Sequence, residues 1–299
     1  MAYTEIKEKN KKRYYYRVRS LRVGKKIGKR RIYLGVGLSK KGLRKKEGEA
    51  DKELGLLENL LGKKELSELG KIKREYLKQP KENLENRYEA FCSSFTYNST
   101  AIEGNTLTLQ ETSRLLFEKQ VPAKSLREVN EVLNHKEAFD LILGTKEDVT
   151  KSFILKLHKI LIKNTLKSEL EDQIGNYRRI QVYIRGVEWL PPGPEKVKGE
   201  MRNLLLWYSR NKGKLHPLSL AAYFHSAFER IHPFVDGNGR VGRIIMNFIL
   251  HKNKFPMINI PNSKKDVYYK TLQEAQINGN LEPFVKFLIS VLKEGKIRF

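Results

Sequence analysis

Residues 232–243, HPFVDGNGRVGR, bring a histidine, an aspartate, an asparagine and two arginines into one window with three glycines. Histidine exchanges protons near neutral pH. Aspartate offers hard oxygen ligands of the kind magnesium prefers. Arginine forks match phosphate oxygens. Glycines allow positive φ and leave backbone N–H groups uncovered. A glycine-rich turn that feeds a helix N-terminus is an anion site, because unpaired N–H groups and the helix dipole point the same way. Arg240 and Arg243, three residues apart, share one side of that helix's first turn. The window therefore reads as a nucleotide-phosphate site: Gly237, Asn238, Gly239, Arg240 and Arg243 on the phosphates, Asp236 as the magnesium ligand, and His232 as a base at the rim. A lone GNG turn or arginine pair would not carry this reading; their conjunction does. His135, His158, His216, His225 and His251 lack metal-ligand spacing and read as packing or surface residues, with His225 on the same helix face as His232.

Those side chains need rigid elements behind them. A helix over 217–231 runs into His232, and Pro233 stops it. A second helix opens at Arg240 with Val241, Ile244, Ile245 and Phe248 as its apolar face. Helical periodicity dominates elsewhere after residue 40: 54–69 and 71–79 as connecting helices, 81–105 closing at Gly104, a start at Thr108 with a Thr108/Glu111 capping box, then 123–143, 150–167, 196–210, 264–277 and 281–293. Residues 177–197 differ, alternating, turning at Gly186 and ending in a Pro/Gly cluster, which predicts a β-hairpin. The N-terminus also alternates, through 13–23 and 30–36, with a partner strand near Tyr3–Ile6 and Ser39 capping a following helix. Tyr14, Tyr16 and Val18 fall on one face there, and Tyr15, Arg17 and Arg19 on the other.

At the twelve-residue window the sequence resembles the Fic family, whose signature is H-x-F-x-[D/E]-G-N-G-R-x-x-R. Every fixed position is filled: His232, Phe234, Asp236, Gly237, Asn238, Gly239, Arg240 and Arg243. The resemblance extends from Leu84 to Leu292, with Gly175, Tyr177, Arg178, Pro191, Pro192, Tyr268 and Tyr269 as landmarks. It implies a mainly α fold, a Fic-type helical core with an inserted β-hairpin flap, here preceded by a small β-rich basic module. It implies a protein adenylyltransferase that moves AMP from ATP, with magnesium, to a Ser, Thr or Tyr hydroxyl of a target protein. By position, His232 would deprotonate the hydroxyl, Asn238 with the flanking amides would stabilise the α-phosphoryl oxygens, and the arginines would hold the β/γ end. Val182, Tyr183, Ile184 and Arg185 would form the flap that pins the target and lines the nucleotide; Tyr268, Tyr269 and Gln276 would lie near adenine. Residues 99–104, STAIEG, resemble the family's inhibitory motif, so Ser99 and Glu103 would tie up Arg243. Relatives often dimerise, which leaves a homodimer open.

The resemblance divides the chain into residues 1–60, a linker at 61–80, and a core at 81–299 whose inhibitory helix is 81–104. Its net charge is +25, and residues 1–50 hold 18 Lys/Arg against four Asp/Glu, an excess of 14. Arginines interleaved with tyrosines on an exposed sheet face suit a nucleic-acid backbone, and a solvated basic arm suits the same composition. No apolar run is long enough for a membrane span, no secretory signal is visible, and a single cysteine, Cys92, fits a reducing cytoplasm. Two other functions stay open: removal of AMP or transfer of another phosphate-containing group at the same site, and a nucleic-acid-associated regulator with a sensory Fic site.

Overall fold

The computed structural model describes residues 2–9, 11–23, 26–58, 60–80, 82–187, 189–295 and 297–299. The chain divides into two compact units, Met1–Gly62 and Lys63–Phe299.

In the first unit β1 (Ala2–Lys9), β2 (Lys12–Val23) and β3 (Lys26–Val36) form an antiparallel meander, followed by α1 (Lys40–Glu58). Three strands need a partner for one apolar face. Here α1 provides it, and Tyr15, Leu34 and Ala50 form a small core with Ile32, Leu38 and Leu43. Ser39 caps α1, its Oγ accepting from Gly42 N at 3.2 Å. The helix covers the Tyr15/Arg17 face, since Arg17 reaches Glu47 of α1 at 3.5 Å. The opposite face carries Tyr14, Tyr16 and Tyr33 with the buried Val18, so the Tyr15/Arg17 row is the covered one rather than the exposed one expected. A register shift at Tyr15/Tyr16 pairs Tyr14 with Val36, which breaks the expected Ile32–Leu34–Val36 row and leaves Val36 exposed.

The second unit is helical: α2 (Lys63–Leu77), α3 (Leu84–Ile102), α4 (Leu109–Ser113) running into a π-turn at Arg114–Glu118, α5 (Leu126–Gly144), α6 (Lys151–Ile162), α7 (Pro194–Asn211), α8 (Pro217–Ile231), α9 (Asn238–Lys252), α10 (Lys265–Ile277) and α11 (Glu282–Glu294). Side-chain caps start α4, α5, α6 and α8. Capping boxes close Thr108/Glu111 and Ser125/Glu128, and Thr150 Oγ1 caps α6. Two expected boundaries moved. The connecting helices are α1, ending at Glu58, and α2, starting at Lys63, and α2 runs straight through Gly70. An interior glycine costs only about 1 kcal/mol, and burying Leu69 and Ile72 on either side offsets it. Nor is α2 a free linker, because it packs on α11, where Lys293 meets Glu68 at 2.6 Å.

The centre of this unit is α9, which packs on α3, α5, α6 and α8. Its sequence shows an apolar face, yet it is enclosed almost completely: Met246, Ile249 and Leu250 are buried along with Val241, Ile244, Ile245 and Phe248. A helix buried on every side must pair its polar groups internally, and Asn247 does so, exchanging hydrogen bonds with the backbone of Ile258 at 2.9 and 2.7 Å. The expected hairpin at 177–197 is not a ladder. Among its described residues no strand pairing occurs, although the turn at Gly186 is present with φ +79°. Side chains hold its arms instead, Gln181 Nε2 donating to Pro191 O at 3.2 Å and Arg178 reaching both arms. No helix among the described residues is long and apolar enough to cross a membrane.

Candidate active site

Helices α8 and α9 are joined by residues 232–237, and every chemical group of the window is set by how that connection folds. His232 ends α8 in the left-handed region (φ +49°), its N–H still bonded to Phe228 O at 2.9 Å. A non-glycine residue holds this conformation only when its surroundings enforce it, and Arg178 does so. Buried, Arg178 donates from Nε to His232 O at 2.8 Å, and its backbone N donates to Pro233 O at 2.9 Å. Its other donors reach Ile180 O at 3.0 Å and Pro192 O, so one guanidinium fastens both flap arms to the histidine. The sequence marked Arg178 only as a landmark.

His232 Nδ1 lies 3.3 Å from Glu229 O. A carbonyl only accepts, so Nδ1 carries the proton and Nε2 carries the free lone pair. Burial lowers the imidazole to about 4, so it is neutral at physiological pH. Below it, Glu229 is pushed up to about 8 by burial, against the pull of Arg243.

The turn is built to leave backbone bare. Gly237 (φ +79°) is the N-cap of α9, which has no side-chain cap. A Cβ at Gly237 would collide with Ile162 Cδ1, so glycine is needed there for space as well as for φ. His158 supports the turn from beneath. It stacks on Phe234 at 3.8 Å between ring centroids, accepts from Gly175 N at 2.9 Å, and so presents Nε2–H to Asp236 O at 3.2 Å. This histidine, read from the sequence as packing or surface, is a pillar of the loop, and its stacking partner Phe234 is too distant in the chain for any spacing rule to find.

Asn238 is held through its side chain. Its Oδ1 accepts from Phe234 N and its Nδ2 donates to Phe234 O, both at 2.9 Å. Both ends of the amide help to close the turn, and one Nδ2 hydrogen and the backbone N–H remain for a ligand. Asp236 is partly exposed and accepts from Gly237 N at 2.5 Å, Arg240 Nη2 at 3.3 Å and Arg127 Nη2 at 3.3 Å. Arg127, unmarked in the sequence, also meets Glu131 at 3.2 Å, and Glu131 lies 3.6 Å from Arg240.

Both arginines of the window are buried, each 2% exposed in its side chain. Arg240 Nε and Nη1 and Arg243 Nη1 have no hydrogen-bond partner. Buried guanidinium donors left unpaired are costly, and beside an uncapped helix start they suit an incoming anion. The rest of Arg243 is occupied. Nε donates to Ser99 Oγ at 3.0 Å, and Nη2 donates to Ser99 O at 2.8 Å and to Glu103 Oε1 at 2.7 Å. A Cβ at Gly239 would strike Glu103 Oε1, so this carboxylate stands directly over the glycine turn.

The remaining expected contacts divide. Tyr183 and Arg185 are exposed on the flap, with Val182 and Ile184 half-buried. Tyr269 is exposed beside the site, its hydroxyl held high by burial and by the charge of Glu103. Tyr268 is buried beside Arg243. It is 1% exposed, bonds His225 Nε2 at 2.7 Å, and packs on Phe284 and Phe287. Both hydroxyls lie near enough to Arg243 to feel its charge, Tyr268 from the core and Tyr269 from the surface. Gln276 is buried near the end of α10.

The Fic/DOC family model matches residues 148–250. Protein adenylyltransferase Fic of Drosophila persimilis is 38% identical over 197 residues, which is 64% of this chain and 37% of that protein. The chain thus spans well under half the length of the curated relatives it matches. A Fic-domain-containing signalling protein from Bacteroides thetaiotaomicron is 30% identical with a TM-score of 0.68, covering 76% of this chain and 92% of that one. Fic-1 from C. elegans is 26% identical, also at TM-score 0.68, over 86% of this chain and 76% of that one. With the complete signature folded at the start of α9, and with 92% of a 30% identical Fic-domain structure covered, this chain belongs to the Fic/DOC family.

Proposed function

We propose that this chain is a protein adenylyltransferase that transfers AMP from ATP to a side-chain hydroxyl of a target protein, and that Glu103 restrains it. The observation that carries the reading is the set of buried, unpartnered donors on Arg240 and Arg243 beside the uncapped start of α9. A triphosphate would satisfy them, and its α-phosphate would then meet the bare amides of the turn. Nε2 of neutral His232 accepts the target hydroxyl proton as the oxygen attacks the α-phosphorus; the α–β phosphoanhydride bond breaks and pyrophosphate departs. Two carboxylates stand at the turn, Glu103 bound to Arg243 and Asp236 partly exposed beside the bare amides, and Asp236 is the one placed to take an ion with the phosphates. That suits magnesium, which binds through one or two carboxylates plus substrate phosphates and water. Held by Asp236, the ion would offset charge on the α- and β-phosphates. The flap, whose described residues pair with no strand, would take a target segment as an added strand.

Glu103 competes for the same arginine that the γ-phosphate would use, since one fork cannot serve two anions. Radiolabelled ATP with magnesium should label the Glu103→Gly chain at least tenfold more than the parent, and His232→Ala in that background should abolish labelling. Labelling that survives the histidine change would remove the proposed base. Faster stripping of AMP from a modified protein than addition of it would reverse the direction of the reaction.

A further inference from the structure

The base of the site has a neighbour that the phosphate chemistry leaves unused. Burial, with the charge of Arg178 adding to it, holds His232 down near 4, whereas a general base works best when it titrates near the operating pH. A carboxylate facing the far edge of the ring would offset that burden. Asp236 is taken by Arg240 and Arg127, and Glu103 by Arg243. Both stand where the reading above puts the ion and the triphosphate. Glu229 is the third acid. Its Oε2 lies 4.0 Å from His232 Nδ1, away from the free lone pair, and its side chain is 10% exposed. Oε1 has no hydrogen-bond partner, and the carboxyl makes no other ion pair among the described residues. The packing of α8 on α9 makes room for it. A Cβ on residue 242 would lie 2.5 Å from Glu229 Oε1 and 2.8 Å from His225 Nδ1, so Gly242 lets this acid stand under the histidine.

We propose that Glu229 is a positioning residue for the base, its carboxylate steadying the imidazolium that His232 becomes as it takes the target proton. This rests on the adenylyl-transfer reading. The hydroxyl proton passes to Nε2, the oxygen bonds the α-phosphorus, and pyrophosphate leaves with the electrons of the broken α–β bond. Nδ1 keeps its proton throughout, held toward Glu229 O at 3.3 Å with the carboxylate beyond it. The ring then carries a full positive charge in a mostly buried place, and Glu229 is the anion that stays when Glu103 yields to nucleotide. The surroundings also set when Glu229 is charged. Burial pushes it up to about 8, Arg243 of α9 pulls against this, and Glu103 at the end of α3 adds to the rise. His225 of α8 and Tyr268 and Tyr269 of α10, which also face it, are held neutral by burial. The supporting carboxylate therefore gathers as pH climbs through 8, and the strength of the base climbs with it.

Two measurements on the full chain test this. Diethyl pyrocarbonate acylates a neutral imidazole at its free nitrogen and needs no nucleotide. Its rate at His232, read by peptide mass spectrometry against N-acetylhistidine in the same tube, should rise severalfold between about pH 7 and pH 9, and Glu229→Gln should flatten that rise. In the Glu103→Gly background, adding Glu229→Gln should lower kcat for AMP labelling at least about tenfold with the KM for ATP within about twofold. Glu229→Asp, which keeps the charge, should recover part of the loss. Glutamine fills the same volume, so the melting temperature at neutral pH should hold. An acylation profile that Glu229→Gln leaves unaltered, an unchanged kcat, or a change in KM alone would each overturn the proposal. If no variant labels while acylation still follows Glu229, the adenylyl-transfer reading fails and the pairing of Glu229 with His232 stands.

Discussion

The contact between Arg243 and Glu103 allows a perturbation whose two effects have opposite sign. In Glu103→Gly, Arg243 keeps only its bonds to Ser99, and its buried charge loses the carboxylate 2.7 Å away. Breaking a fully buried pair costs about 3–5 kcal/mol. Glu103 is 32% exposed, so water screens part of this, and a cost of roughly 1.4–2.8 kcal/mol is the reasonable scale. That deficit exists only until an anion reaches the arginine. The ligand-free variant should therefore melt several degrees lower than the parent, while its affinity for ATP should rise by about 10–100-fold, the same free energy expressed as binding. Backbone effects are small, because residue 103 is the C-cap of α3 with φ −88°, ψ −1°, which glycine adopts freely. Calorimetric titration with ATP and magnesium, paired with thermal melts with and without nucleotide, reads both quantities. A variant that melts lower yet binds ATP no tighter would show that Glu103 is merely structural, and one unchanged in both would show that the contact contributes nothing.

Other sites give independent tests. Asn238→Ala should lower the melting temperature by the equivalent of about 2–4 kcal/mol, since two buried backbone groups of Phe234 lose their partners; a fall in turnover with unchanged melting would return the amide to the phosphate. Gly242→Ala should destabilise by about 1–3 kcal/mol, because its Cβ would sit 2.5 Å from Glu229 Oε1 and 2.8 Å from His225 Nδ1; an unperturbed melt would mean that those side chains move aside. Acid should act through buried imidazoles. Burial lowers His158, His216 and His232 from 6.5 to about 4 and His225 to about 3. The unfolded chain thus binds more protons between these values, and stability present above pH 6.5 is lost as pH falls toward 4. Glu229, raised from 4.5 to about 8, works oppositely across its own range. Melting temperature should drop steeply between pH 6.5 and 4, and a flat profile there would contradict the burial.

The helices were legible where periodicity and caps agreed. Thr108/Glu111 announces α4, and Pro233 marks the end of α8 one residue late. What the sequence hid was decided by tertiary contact. Gly70 reads as a breaker but lies between two buried apolar residues, so α2 passes through it. The flap alternates like a hairpin, yet the buried guanidinium of Arg178 takes the carbonyls that a ladder would have used. In the site, residue types and spacing located His232, Asp236, Arg240 and Arg243. They could not reveal that Asn238 turns inward, that Tyr268 belongs to the core, or that His158 and Arg127 brace the loop, because those facts depend on partners distant in the chain.

One consequence follows from Arg178. Because a single side chain grips Ile180, Pro192 and the carbonyl of His232, the arm that would greet a visiting polypeptide and the ring that would take its proton are members of one lever. A guest that pulls the arm aside also tugs the ring's own backbone. Misfitting visitors would thus spoil the alignment they need, and discrimination would be written into the hinge as much as into the surface that is touched.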